Sequence, residues 1–193
     1  LVPCLSWLST FTTVKVAGGE PVGIDLKSMG YTLNFKELEK KINKKTKALI
    51  MVHFTGFLED MNEIKKICKR KKIFLIEDCA QSQGSKYGDK YCGTIGKIGC
   101  FSFYPTKILG AYGDGGFILT NDFNLYKKIK RIRFYGIETV EKNNQYFNKY
   151  YSNEDGINSR LDEIQASILN FKLSIIEKLI KRRKQIASLY FRE

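Results

Sequence analysis

The sequence predicts an α/β fold with a mostly parallel central sheet flanked by helices. Two observations indicate it. Apolar runs of strand type alternate with amphipathic segments of helical spacing over residues 1–135, an order typical of an open sheet built from right-handed crossovers. The apolar runs are also continuously hydrophobic, as expected for strands that are covered on both faces in a parallel sheet.

Five apolar runs are the predicted strands. They cover residues 21–26, 47–53, 73–79, 98–104 and 116–121. The segment "SKYGDKYCG" lies between two of them and has the composition of a hairpin. We expect this hairpin to turn at Gly88 and Asp89.

Three helices are predicted between the strands and after them. They cover residues 34–43, 60–71 and 122–134. The first two begin with the pattern of a capping box, in which Asn34 is followed by Glu37 and Asp60 by Glu63.

The last part of the sequence divides into a loop and a helix. After Gly136 the composition becomes polar and rich in tyrosine, which indicates a long loop with a function of its own. Ser159 is the predicted N-cap of one long amphipathic helix that continues to Glu193.

The charge of the chain is high but spread out. The 193 residues have a formal net charge of +13 and are 43% hydrophobic, which is enough for one sizeable core. Most lysines alternate with apolar residues at helical spacing, which is typical of solvated helix faces. A nucleic-acid-binding module would concentrate them on one surface. That module is therefore the least favoured alternative, and we expect no nucleic-acid partner.

Cysteine and histidine usage predicts neither disulfides nor a metal site. The five cysteines form no C-x-x-C pair, and their odd number leaves one unpaired, which is typical of reduced thiols in the cytoplasm. The single histidine, His53, has no cluster of metal ligands around it in the sequence. No apolar run reaches the length of a membrane span.

Residues capable of chemistry follow two of the predicted strands. Asp78 ends the run "IFLIED", while Ser102 and Lys107 lie in "FSFYPTK". Ligands of open α/β sheets bind beyond the carboxyl ends of the strands, so we expect these side chains to share one crevice. The alternative for Asp78 is a helix cap, and the alternative for Ser102 is a hydrogen bond to the backbone.

A lysine paired with an aspartate suits a carbonyl cofactor such as pyridoxal 5′-phosphate. The cofactor needs an amine, here Lys107, for a Schiff base and an acid, here Asp78, to keep its pyridine nitrogen protonated. Trp7, the only tryptophan, is a candidate cover for the ring, with an ordinary core aromatic as the alternative. The glycines of "GAYGDGG" lack the G-x-G-x-x-G spacing and precede a strand, so they predict a tight turn.

Several motifs agree with one known family. The segments "KALIMVHFTGFLEDMNEI", "IEDCAQSQGSKYGDKYCGTIGKIGCFSFYPTKILGAYGDGG" and "GINSRLDEIQASIL" resemble, in order and spacing, the DegT/DnrJ/StrS sugar aminotransferases. The resemblance extends over nearly the whole chain. It implies the aspartate-aminotransferase-like fold, which is fold type I of the pyridoxal-phosphate enzymes.

The resemblance also implies a domain organisation. Residues 1–158 correspond to the cofactor-binding large domain, and residues 159–193 correspond to a long helix that leads toward a C-terminal small domain. Family members carry a phosphate-binding loop upstream of the region where this chain begins, and they continue past the long helix. We therefore expect the N-terminal loop and the small domain to be absent from this chain.

Three site residues are implied by two of the motifs. Lys107 corresponds to the lysine of the family's SF-x-x-x-K motif, which holds the cofactor covalently and moves a proton between substrate and cofactor carbons. Asp78 corresponds to the aspartate of the EDxAQ motif, the partner of the pyridine nitrogen. Gln81 corresponds to the glutamine of that motif, which is expected beside the ring and its hydroxyl.

Three further positions complete the implied site. Ser102 resembles the phosphate-binding serine of the lysine motif, and Trp7 resembles the aromatic residue that stacks on the ring. Asn158, in "GINSRLDE", matches an asparagine that reaches the phosphate bound by the neighbouring subunit. The resemblance therefore implies a homodimer with active sites shared between subunits.

The implied activity is transfer of an amino group to a keto-deoxysugar linked to a nucleoside diphosphate. Glutamate is the expected amino donor. The lysine segment looks most like that of members acting on dTDP-3-keto-6-deoxyhexoses, so we expect such a substrate, in the biosynthesis of a surface polysaccharide or another glycoconjugate. A non-catalytic regulatory or sensory member of the same fold is the alternative.

Overall fold

The computed structural model describes residues 1–27, 31–137, 151–152 and 154–191. The strands are β1 (Val2–Pro3), β2 (Gly23–Ile24), β3 (Ala48–Val52), β4 (Phe74–Asp78), β5 (Lys86–Tyr87), β6 (Lys90–Tyr91), β7 (Ile98–Ser102) and β8 (Gly116–Leu119). The helices are α1 (Leu8–Val16), α2 (Phe35–Lys41), α3 (Met61–Lys71), α4 (Phe123–Ile132), α5 (Glu163–Ser174) and α6 (Ile176–Tyr190). The loop predicted after Gly136 falls largely on residues 138–150, which lie outside the described residues.

The central sheet has the strand order β3-β4-β7-β8. β3, β4 and β7 are parallel, and β8 pairs antiparallel with β7. The short parallel pair of β1 and β2 adjoins β3, because the Ile50 N–H donates to the Leu1 carbonyl (2.9 Å). The carboxyl ends of three neighbouring strands therefore lie at one edge of the sheet.

All five predicted strands are present, and each is shorter than predicted. The hairpin is also confirmed: Lys86 pairs with Tyr91 and Tyr87 with Lys90 around the turn at Gly88 and Asp89. Gly88 has φ +58, a left-handed conformation that glycine adopts without strain.

The core forms where α2 and α3 cover the sheet. α3 buries Met61, Ile64, Ile67 and Cys68 on one face, as the helical period of 3.6 requires. These side chains form one cluster with residues of the sheet, such as Leu49 and Leu75. Each such aliphatic side chain contributes about 1.5–3 kcal/mol when it is fully buried.

The N-caps predicted at Asn34 and Asp60 are confirmed. The Asn34 side chain accepts from the Glu37 N–H (3.2 Å), and the Asp60 carboxylate accepts from the Glu63 N–H (3.1 Å). The Glu37 carboxylate accepts from the backbone N–H of Asp25 (3.0 Å), which ties α2 to the segment after β2.

The predicted helix from Ser159 is wrong in two respects. The N-cap lies three residues later, at Asp162, whose carboxylate accepts from the Ile164 N–H (2.8 Å). The helix is then interrupted at Ile175, where φ −115 and ψ 6 lie outside the helical region, and α6 continues from the next residue. Within the described residues, no helix combines the length and apolar character that crossing a bilayer requires.

Helix α1 was not predicted. Its sequence is rich in β-branched threonine and valine, which favour strands. Its N-cap residue, Trp7, supplies no side-chain hydrogen bond, so no capping signal marks its start. Long-range contacts, described below, tie this helix to the sheet.

Candidate active site

Three loops begin side by side at the carboxyl edge of the parallel strands. The register places Val52 next to Asp78, and Asp78 next to Cys100. Backbone hydrogen bonds extend this alignment past the strand ends: the His53 N–H donates to the Asp78 carbonyl (3.0 Å), and the Cys79 N–H donates to the Cys100 carbonyl (2.7 Å). The segments that follow β3, β4 and β7 are thus held together.

β4 ends in two acids that face opposite sides, because successive side chains of a strand alternate. Glu77 is completely buried. Its carboxylate oxygens lie 2.9 Å from His53 Nε2 and accept from the backbone N–H groups of Gly93 (2.9 Å), Ile95 (2.8 Å) and Gly96 (2.6 Å). Four partners satisfy this carboxylate, so its role is structural.

These partners also decide the charge of Glu77. Burial by itself would raise the pKa of its carboxyl, but the hydrogen bonds from His53 and from the N–H groups of Gly96 and Gly93 outweigh burial and lower the pKa. The carboxyl therefore remains ionised inside the protein.

His53 does have ligand-type neighbours in space, contrary to what its place in the sequence indicates. One ligand-type atom each from His53, Glu77 and Cys79 lies within 4.8 Å of the others, and all three residues are buried. However, four donors already occupy the two oxygens of Glu77. A cation would have to displace them, so we assign this cluster to the core.

Asp78 is half-buried and keeps binding capacity. One oxygen, Oδ1, accepts from the Ala80 N–H (3.1 Å), and the other, Oδ2, accepts from the Thr10 hydroxyl (3.1 Å). The Ser6 hydroxyl in turn donates to Thr10 Oγ1 (2.6 Å). No helix begins in residues 79–85, so the helix-cap alternative for Asp78 is wrong. Each oxygen retains a lone pair for another donor.

Ser102 is the last residue of β7, and Lys107 lies in the loop that follows. The Ser102 oxygen accepts from the Tyr104 N–H (3.2 Å), which is the backbone bond foreseen as the alternative. This bond leaves the hydroxyl hydrogen free to donate elsewhere. Lys107 is half-buried, and within the described residues its Nζ has no hydrogen bond or ion pair.

The loop that carries Lys107 is closed tightly at its base. The Ala111 N–H donates to the Phe103 carbonyl (2.7 Å), and the Lys107 N–H donates to the Tyr104 carbonyl (2.9 Å). A Cβ at Gly110 would collide with the Pro105 carbonyl. Gly110 therefore permits a close approach of two backbone segments, and the tight turn expected for the glycines of "GAYGDGG" stays a prediction.

Gln81 joins two of the edge loops. Its side-chain carbonyl accepts from the Thr55 N–H (3.0 Å). Thr55 has φ +55, which is uncommon for a residue that is not glycine. The Gln81 amide hydrogens remain available as donors.

Trp7 and Asn158 stand apart from this group. Trp7 is 76% exposed, so the core alternative for it is wrong, and it directly precedes the helix that contacts Asp78. Asn158 is exposed, and its side-chain oxygen accepts from Arg160 Nε (3.1 Å). Among the described residues, no hydrogen bond joins Asn158 to the edge loops.

Sequence reasoning missed Thr10, Ser6 and the partners of Glu77. Thr10 lies 68 positions from Asp78, and the donors to Glu77 come from a loop 16 to 19 positions later. The one available signal was the pair of acids at the end of an apolar strand, since buried acids need partners.

A separate groove of about 390 Å³ lies along α5 and α6. Its lining is mostly apolar, and its charged residue, Lys172, donates to the Gly110 carbonyl (2.6 Å). The groove contains no acid, so the carboxyl edge of the sheet is the better candidate for chemistry.

Comparisons with known proteins agree with this architecture. The model of the DegT/DnrJ/EryC1/StrS aminotransferase family matches residues 1–193. A pleiotropic regulatory protein of Geobacillus stearothermophilus is 38% identical over 192 residues, which are 100% of this chain and 49% of that protein. A dTDP-3-amino-3,4,6-trideoxy-alpha-D-glucose transaminase of Micromonospora megalomicea subsp. nigra is 36% identical over 181 residues, which are 94% of this chain and 46% of that protein.

Solved structures give the same result. A DegT DnrJ EryC1 StrS aminotransferase from Brucella abortus superposes with a TM-score of 0.87 at 38% identity, covering 98% of this chain and 50% of that one. The fold is therefore that of the fold type I aminotransferases. More narrowly, the chain belongs to the DegT/DnrJ/EryC1/StrS aminotransferase family, and both expectations are confirmed. It spans about half the length of the curated relatives it matches.

Proposed function

We propose that this protein is a pyridoxal-phosphate-dependent aminotransferase that acts on a keto sugar linked to a nucleoside diphosphate. The observation that supports it most is the position of Asp78, Ser102 and Lys107 at the carboxyl ends of two adjacent parallel strands. These residues fit the cofactor chemically: a carboxylate with open lone pairs, a hydroxyl with a free hydrogen, and an amine with no described partner.

Each residue has a task that follows from its chemistry. When bound, the cofactor supplies an electron sink for charge that develops at the substrate carbon. Asp78 would accept a hydrogen bond from the ring nitrogen, and Ser102 would donate its hydroxyl hydrogen to the phosphate. Lys107 would hold the cofactor through its amine and, when free, would take and return a proton at the reacting carbon. Trp7 would cover the ring, and Gln81 would donate to the ring hydroxyl.

The proposed acceptor is a dTDP-3-keto-6-deoxyhexose, and the proposed donor is glutamate. Support comes from relatives named as transaminases of dTDP-3-amino sugars. Other relatives are named for GDP and UDP sugars, so the nucleotide must be tested directly. The product would enter a surface polysaccharide or another glycoconjugate. We place the reaction in the cytoplasm, because all five thiols are free.

The proposed enzyme is a homodimer in which Asn158 serves the neighbouring subunit's site. The exposure of Asn158 and the missing hydrogen bond between it and the described edge loops support this arrangement. A side chain that served its own site would be expected to point toward that edge.

Reductive labelling tests the assignment of Lys107. Borohydride should attach pyridoxal phosphate irreversibly to the purified protein, and mass spectrometry should locate the label on Lys107. The variant Lys107→Ala should lose the label and transamination from glutamate. Lys65→Ala, which removes an exposed lysine of α3, is the matched control and should keep both. A label on another lysine, or normal turnover by Lys107→Ala, would exclude this mechanism.

A regulatory role is the second candidate, favoured by one observation. A relative with 38% identity is named a pleiotropic regulatory protein. A protein that binds pyridoxal phosphate but forms no glutamate-dependent product from dTDP-, UDP- or GDP-linked keto sugars would support this role instead.

A further inference from the structure

Helix α1 reaches the candidate site through a chain of two hydroxyl groups. The Ser6 hydroxyl donates to Thr10 Oγ1 (2.6 Å), and the Thr10 hydroxyl donates to Asp78 Oδ2 (3.1 Å). Thr10 is 4% exposed, so bulk water does not compete for its hydrogen bond. Ser6 lies just before the N-cap residue Trp7, and Thr10 lies in the first turn of α1, so the chain entering the helix carries both hydroxyl groups.

These hydrogen bonds hold the Asp78 carboxylate in one orientation. The Thr10 hydroxyl donates to Oδ2, and the Ser6 hydroxyl, as a second donor, polarises the Thr10 hydroxyl in the same direction. The carboxylate is also fixed in rotation, because the Ala80 N–H binds the other oxygen (3.1 Å).

We propose that Thr10, supported by Ser6, is a positioning residue that holds Asp78 for the ring nitrogen of pyridoxal phosphate. This inference rests on the proposed function. Thr10 acts through Asp78 and does not touch the cofactor. With the hydroxyl bond in place, the remaining lone pairs of Asp78 face a defined direction, which is what a hydrogen bond to a protonated pyridine nitrogen requires.

Thr10 also contacts Trp7 through its backbone. The Thr10 N–H donates to the Trp7 carbonyl (3.1 Å), so the residue that binds Asp78 also closes the first turn of α1 at Trp7. The residue proposed for the ring face and the residue proposed for the ring nitrogen are thus joined by one buried threonine.

The test compares two cofactors on the full chain. One is pyridoxal phosphate, and the other is its deaza analogue, in which C–H replaces the ring nitrogen. Thr10→Val removes the hydroxyl at nearly constant volume. It should weaken binding of pyridoxal phosphate about tenfold, as expected for loss of a hydrogen bond to a charged group, and leave affinity for the deaza analogue unchanged. Thr10→Ser should restore binding, and Ser6→Ala should show a smaller loss with the same selectivity.

Thr13→Val is the matched control. Thr13 lies on the same helix, but its hydroxyl bonds to the Ser9 carbonyl (2.8 Å), so affinity for both cofactors should stay at the wild-type value. Equal weakening of both cofactors by Thr10→Val would mean that Thr10 only supports packing, and would overturn the inference. Unchanged binding by Thr10→Val would overturn it as well, with the proposed function intact. A wild-type protein that binds no pyridoxal phosphate would overturn both.

Discussion

Two neighbouring residues, Glu77 and Asp78, share one side-chain chemistry and serve different purposes. The alternation of β4 directs Glu77 into the core, where four donors satisfy it, and directs Asp78 toward the carboxyl edge, where lone pairs remain. A saturated carboxylate stabilises a fold, and an unsaturated one can bind a ligand. Hydrogen-bond capacity thus separates the two acids where residue type does not.

Replacing Glu77 should test its structural role. Glu77→Gln keeps the volume but places an amide N–H₂ against N–H donors, so we expect a loss of about 3 kcal/mol in the free energy of unfolding. Urea denaturation at neutral pH measures it. Asn34→Gln, which alters a surface cap, should cost clearly less. A smaller loss in the free energy of unfolding for Glu77→Gln than for Asn34→Gln would contradict the structural role of Glu77.

The lowered pKa of Glu77 also predicts a pH dependence. Its stabilisation is fully present above the ordinary pKa of 4.5 and is lost as the pH falls through the lower folded value. Wild-type stability should therefore decline below about pH 4.5, and part of this decline should be missing in Glu77→Gln. If the free energy of unfolding fell equally with decreasing pH in the wild type and in Glu77→Gln, the assignment would be contradicted.

For single residues, the sequence predicts the positions of the site residues but not their long-range contacts. The positions of Asp78, Ser102 and Lys107 after apolar strands were sufficient to place them at one edge. The contacts of Thr10 and His53 were not predictable, because they join residues far apart in the chain and have no local pattern.

At the scale of elements, the loop between β6 and β7 depends on two glycines. Gly93 has φ +81, and a Cβ at Gly99 would collide with the backbone of Gly93. The close approach of these two backbones lets the loop fold over β4 and direct three N–H groups at Glu77. The loop therefore supplies what the buried acid needs.

Gly99→Ala should disturb this loop. Its methyl group would overlap backbone rather than a flexible side chain, so we expect destabilisation of about 2 kcal/mol or more, at the upper part of the range for overpacking. Thermal unfolding measures it. Gly113→Ala is the matched control, since its Cβ would meet only the Gln165 side chain at 3.4 Å. Equal effects of the two variants would contradict the close packing.

The elements differ in how well the sequence predicts them. α2 and α3 were found because their caps use nearby residues, Asn34 and Asp60. α1 was missed because its sequence is rich in β-branched residues and its N-cap supplies no side-chain hydrogen bond. The interruption at Ile175 was missed because the amphipathic pattern continues across it. Helices whose caps use nearby residues can be predicted from the sequence, and helices without such a local signal cannot.

At the scale of the whole molecule, the parallel order of β3, β4 and β7 creates the site. Alternating strand and helix patterns predicted that these strands are parallel, since right-handed crossovers connect parallel strands. The sharing of sites between two subunits is a separate proposal, because it depends on surfaces that strand order does not specify.

Mixing two inactive variants tests that proposal. Lys107→Ala and Asn158→Ala should each have little activity alone. If Asn158 acts across a two-fold interface, each mixed dimer contains one intact site, so an equal mixture should recover about a quarter of wild-type activity. Lys107→Ala mixed with Asp78→Ala is the control, because both residues would belong to the same subunit's site. None of the three dimers in that mixture would contain an intact site, so its activity should stay low. Failure of the first mixture to gain activity over its components would contradict a shared site.

The bond between Thr10 and Asp78 has a consequence for folding. It joins positions 68 apart, and the parallel pairs of β4 also need long crossovers, so these contacts form only after large loops have closed. Secondary structure in α2 and α3, which depends on nearby caps, can form earlier. Under the proposed function, a newly made chain would thus become able to bind pyridoxal phosphate only late in folding, after these contacts have formed.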